Sequence, residues 1–144
     1  MNKVFKVVAV SALSISSANV FAVSDTFDAT LEVKQAITMT KTSDLDFGII
    51  TSDNTTDVVI AQGDAGAAAF TLSGESGDAV TVSISDTNLV NGVNTIAAEF
   101  DFNNAITLTG GSADLNIGGT ARTSSATLVA GTYTANVAVD VTYQ

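Results

Sequence analysis

Asp44 and Asp46 stand two residues apart beside Phe47-Gly48, and Asp53, Asn54 and Asp57 follow in a polar stretch. Such oxygen clusters suit calcium, which takes about six to eight oxygen ligands from flexible loops. No twelve-residue loop with regularly placed acids and a closing Glu accompanies them, and Asp and Asn serve equally well to cap the backbone of a solvated turn. Fifteen acidic residues also create close carboxylate pairs of the kind glycosidases use, but the chain has no Trp to offer a sugar platform. With no His and no Cys, the usual transition-metal ligands and most nucleophile–base pairs are missing. Neither GxGxxG nor GxxxxGK[ST] occurs. Asn54-Thr55-Thr56 fits the N-glycosylation pattern, which arises readily by chance in a Thr-rich chain. The residue types point away from an enzyme and imply no cofactor and no metal.

What these residues are mounted on follows from composition and period. The chain has 144 residues, 46% apolar and 14% charged, which suits one domain with a modest core. Lys3 and Lys6, the mainly apolar run 7–15 and the small-residue site Val20-Phe21-Ala22 have the order of a secretory signal peptide, 1–22. The run is too short for a membrane span, which needs about 20 residues. The expected remainder, 23–144, keeps Lys34, Lys41 and Arg122 against fifteen carboxylates. That balance repels phosphate backbones and anionic headgroups, so it argues against nucleic acid and membrane surfaces as partners. Without Cys there is no disulfide, and stability must come from sheet hydrogen bonds, apolar burial or other chains.

Period-two patterning dominates, and no segment shows a helical face. From Tyr133, the residues Ala135, Val137, Val139, Val141 and Tyr143 share one parity, while Thr134, Asn136, Asp140 and Thr142 are polar on the other. Shorter strands are expected at 45–50, 57–61, 67–72, 80–84, 96–102, 106–108, 115–117 and 126–129. Gly74-Glu75-Ser76-Gly77, Asn91-Gly92, Gly110-Gly111 and Gly118-Gly119 read as turns between them. The expected fold is an all-β, antiparallel β-sandwich in a single domain over 23–144.

The N-terminal alternation is unusually long. Phe27, Ala29, Leu31, Val33, Ile37 and Met39 share a parity broken only by Gln35. Extended, this stretch would reach roughly 43 Å at about 3.3 Å per residue, against the usual strand of about 5–6 residues. It is either a first strand of its own sandwich that switches sheets near Gln35-Ala36, or two strands serving two bodies. In the second case Phe27, Ala29, Leu31 and Val33 would add a strand to another subunit's sheet edge. Repeated head to tail, that contact builds a filament.

Two segments together carry a family resemblance: Leu45-Asp46-Phe47-Gly48, and Gly131-Thr132-Tyr133 with the alternating run to Val141-Thr142-Tyr143. The pairing resembles the spore coat protein U group, which includes the archaic chaperone–usher pilins. It is closer still to a poorly characterised family of short secreted bacterial β proteins that share both motifs and a Gly-Gly-Thr, here Gly118-Gly119-Thr120. Spore-coat-U-type pilins commonly carry a Cys pair that this chain lacks, which makes the second group the nearer relative. The resemblance implies an immunoglobulin-like sandwich without its last strand, filled first by a periplasmic chaperone and then by the next subunit's extension, with an outer-membrane usher in assembly. It places the donor at 26–33, with 23–35 as the extension. Leu45 and Phe47 become core residues, Gly48 a chain turn, and 131–143, with Tyr133, Val137, Val139 and Val141, the strand bordering the groove.

The expected function is therefore a structural subunit of an extracellular fimbria-like filament, polymerising with itself or with other pilin subunits. It would pass through the periplasm to the cell surface. The alternative is a self-contained secreted sandwich that binds calcium or a glycan through its loops.

Overall fold

A computed structural model describes residues 23–144; the expected leader, 1–22, lies outside the described residues. Val33–Gln144 forms one compact unit. The described residues of the other unit, 23–32, carry no regular secondary structure and are exposed.

The compact unit is an all-β arrangement of two antiparallel sheets, as the patterning implies. Its strands are β1 (Thr38–Ser43), β2 (Val58–Ile60), β3 (Ala68–Ser73), β4 (Ala79–Ile84), β5 (Thr87–Asn91), β6 (Asn94–Phe102), β7 (Ala105–Thr107), β8 (Ser112–Ala121) and β9 (Val139–Tyr143). The larger sheet has the order β1-β3-β8-β6-β5, with β2 also paired to β8; the smaller has the order β7-β4-β9. Alternation sends one face of each strand inward. Ala68 and Leu72 of β3, Leu115 and Ile117 of β8, Val80 and Val82 of β4, and Leu108 beyond β7 form the sealed cluster.

Most expected strands fall on observed ones, and the departures have physical causes. The stretch 27–37 is not a strand, because it joins no ladder among the described residues; regular pairing starts only at Thr38. The stretches 45–50 and 126–129 are loops. Tyr133–Tyr143 is strand only from Val139, with one isolated bridge at Thr134. Thr87–Asn91, with two apolar residues, carries too weak a pattern to be read, yet it pairs with β6 around the Gly92-Val93 turn, where Gly92 takes φ +62°. Gly118-Gly119 is no turn. Both lie inside β8, where a Cβ on Gly118 would run into the backbone at Ile60–Gln62 and one on Gly119 would sit 3.2 Å from Leu45 and Phe47 atoms. Glycine is used there for space between close-packed strands, not for a left-handed φ.

Candidate functional site: an open groove between two sheet edges

β1 ends one sheet and β9 ends the other, and neither has a strand on its outer side among the described residues. The alternation of ladder bonds fixes what β9 presents there. Val82 donates its N–H to Asn104 O at 2.9 Å, on the β7 side, so Thr81 and Ser83 turn toward β9 and bond Thr142 and Asp140. Gln144 N–H reaches Ala79 O at 3.1 Å in the same sense. The N–H and C=O groups of Val139, Val141 and Tyr143 are thereby directed at the open edge.

Beside that edge lies a cavity of about 1040 Å³. Met39 and Lys41 of β1 and Val137 and Val139 line it, with Leu45, Phe47, Phe70, Ile84, Ile96 and Phe100 among its apolar walls. Met39 remains 39% exposed although it lies on the same face as Leu72, its fully buried cross-strand partner. The loop that carries the LDFG motif is held by Asp46 N–H on Gly66 O at 2.8 Å, and Gly48, at φ +78°, donates its N–H to Asp46 Oδ1. This sends the half-buried Leu45 and Phe47 onto the sandwich, Leu45 against the sealed cluster and Phe47 against Gly119.

The residues named from sequence therefore divide. Tyr133, Val137 and Val139 line the groove, and Val141 packs half-buried against the sealed cluster on the same strand. Phe27, Ala29, Leu31 and Val33 are exposed, the first and third at 89%. Sequence reasoning missed the contribution of β1, whose Met39 was legible only as the end of a longer alternating run.

The Arg122 network is not part of the groove lining, whereas Lys41, Asp44 and Asp46 are. Arg122 donates to Glu99 from two nitrogens, at 3.0 and 2.5 Å, and to Asp57 at 3.1 Å, joining the β2, β6 and β8 regions. Asp57 also accepts the hydroxyl and N–H of Ser124, which hold its pKa below the ordinary value with help from Arg122. Glu99 is lowered chiefly by its bonds from Arg122. Asp44 pairs with Lys41 at 2.6 Å, Asp46 caps Gly48, and Asp53 accepts the Thr51 hydroxyl, which lowers its pKa. Among the described residues, no group of three or more acids is placed to hold a metal ion.

A second set of bonds surrounds the last strand residue. Tyr143 Oη accepts Glu75 N–H and donates to Gln35 O, each at 2.6 Å; Gln35 N–H bonds Glu75 Oε2 at 3.1 Å, and Lys34 pairs with Asp78 at 2.5 Å. Lys34 Nζ also lies 5.6 Å from the Tyr143 ring centroid.

Comparison with curated proteins and with solved structures returns no match. Residues 37–143 match the family described as a domain of unknown function (DUF4402). That span runs from just before β1 to the last residue of β9, and the chain belongs to this family.

Proposed function

We propose that this protein is a structural subunit of an extracellular, fimbria-like filament, in which the N-terminal segment of one copy adds a strand to the groove of the next. The carrying observation is the pair of open edges, β1 and β9, flanking an apolar cavity of about 1040 Å³. A small apolar ligand could fill the walls but would leave the outward N–H and C=O groups of β9 without partners. An extended peptide satisfies both. The segment with Phe27, Ala29, Leu31 and Val33 has the complementary form, one apolar face and one polar face, and its large side chains are exposed. Burying Phe, Leu and Val gains about 1.5–3 kcal/mol each before the cost of ordering the segment. Donor and groove are different surfaces, so the contact is head to tail and does not close on a pair.

Until the next copy arrives, the groove exposes apolar surface and an unpaired strand edge, both aggregation hazards. A periplasmic chaperone lending a strand and an outer-membrane usher that exchanges it are the partners this reading implies. It assigns no catalytic role. Loop binding of calcium is less well supported, since Asp44 and Asp46 are engaged with Lys41 and Gly48.

Replacing Leu31 with Asp tests the reading. Because Leu31 is exposed, the sandwich should fold and melt as before while polymers vanish from light scattering. Polymers of unchanged mass in the variant would reject strand donation.

A further inference from the structure

The run 133–143 keeps apolar residues at every odd position, with Ala138 alone apolar on the other parity, yet only 139–143 is strand. Thr134 is nevertheless bonded: its N–H reaches Val90 O at 3.1 Å, and its carbonyl accepts Val90 N–H at 2.8 Å. The two anchor points belong to one ladder. β9 pairs Ile84 with Val139, and the bridge pairs Val90 with Thr134. Between these pairs the β4–β5 side carries one residue more than its partner, which is the count of a β-bulge at the Ser85-Asp86 link. A cavity of about 180 Å³ between Ser85, Asp86, Asn136 and Ala138 marks where the ladder lapses.

The bulge lies on the β4–β5 side, so parity along 133–143 is kept. Thr134, Asp140 and Thr142 all turn their backbone groups inward, and the odd residues must turn theirs outward. We infer that the docking edge is the whole run Tyr133–Tyr143 rather than β9 alone, and that 135–138 enters the ladder when the extended segment of a second copy of this chain occupies the groove. This rests on the filament reading above. Ordering 135–138 costs backbone entropy that one-sided bonding does not offset in the free chain. An occupant offers Ala135 and Val137 partners for their outward N–H and C=O groups and covers Val137, now 36% exposed. The edge then lengthens to eleven residues, and its apolar side chains Tyr133, Ala135 and Val137 continue the face that Val139 and Val141 begin.

The test uses the full chain carrying Leu31→Asp, which cannot donate to itself, and a synthetic peptide of residues 23–36 as the probe. Residue-resolved amide exchange is measured with and without peptide. Slowing by about tenfold or more at Ala135 and Val137, together with Val139, Val141 and Tyr143, is the expected result. Slowing confined to 139–143 would overturn the longer edge and leave strand donation standing. No slowing anywhere would remove strand donation, and this inference with it. Val137→Pro, which deletes one outward N–H in a stretch that is not strand, should weaken the peptide on the order of fivefold. Unchanged affinity in that variant also overturns the longer edge.

Discussion

The sandwich is finished in one region and unfinished in another. Leu72, Val80, Leu108 and Leu115 have at most 1% of their surface in contact with water, and the surrounding turns close over them through Gly77 N–H on Leu108 O and Leu108 N–H on Asp78 O. Along the groove, Phe70, Ile84, Phe100 and Val139 are drawn from the same two sheets and show the same alternation, yet they remain half-buried. The side chains are no less apolar; the smaller sheet simply runs out of strands. Three strands cannot cover the inner face of a five-strand order. The contrast lies in how much backbone covers the two regions rather than in side-chain choice, and under the filament reading proposed above another strand makes up the difference.

Substitutions can break that contrast. Leu108→Ala in the sealed region should cost about 2–5 kcal/mol in urea unfolding, because a fully buried leucine leaves a cavity. Ile84→Ala, on the groove, should cost less in the free chain and move toward the sealed-region value once the 23–36 peptide is bound. Equal costs without peptide would mean that the groove is already closed. Gly74→Val should lower stability by about 1–3 kcal/mol, since even a Cβ there meets Tyr143 Oη and lies 2.8 Å from Leu108 Cδ1. Tyr143→Phe keeps the ring but removes the hydroxyl between Glu75 N–H and Gln35 O; a loss of about 1 kcal/mol is expected, with little change in peptide affinity.

The smallest effect concerns the charges outside both regions. Asp57 and Glu99 are held below their ordinary pKa values when folded, so their contribution is present above the unfolded carboxylate values and is lost as pH falls through the lowered ones. Stability should therefore decline on acidification below roughly pH 4, and Arg122→Gln should flatten that decline. An acid limb of unchanged slope in the variant would show that the network around Arg122 is not its source.

Many of the strands were legible, because a stretch such as Val80–Ile84 alternates strictly and alternation reports a face, whichever strand covers it. The same logic misled at 27–37 and 133–138. There the alternation is real, but 27–37 has no ladder partner among the described residues and 133–138 has only the isolated bridge at Thr134. Gly118-Gly119 misled in the opposite way, since composition cannot distinguish a glycine needed for a turn from one needed for closeness. The expectation of a groove came only from family resemblance. No local pattern in the sequence reports which sheet edges stay open.

The bonds gathered at Tyr143 have a mechanical consequence. In a filament, tension travels along each N-terminal segment and enters the subunit at Lys34 and Gln35. There it meets the Asp78 pair, the Glu75 carboxylate and the Tyr143 hydroxyl, all outside the sealed cluster. Tyr143 is itself the last residue of β9, so in the proposed filament load arriving at the incoming end would be handed directly to the strand proposed to hold the neighbour. A pull would then be relayed from joint to joint along the filament without first having to pry open the buried interior.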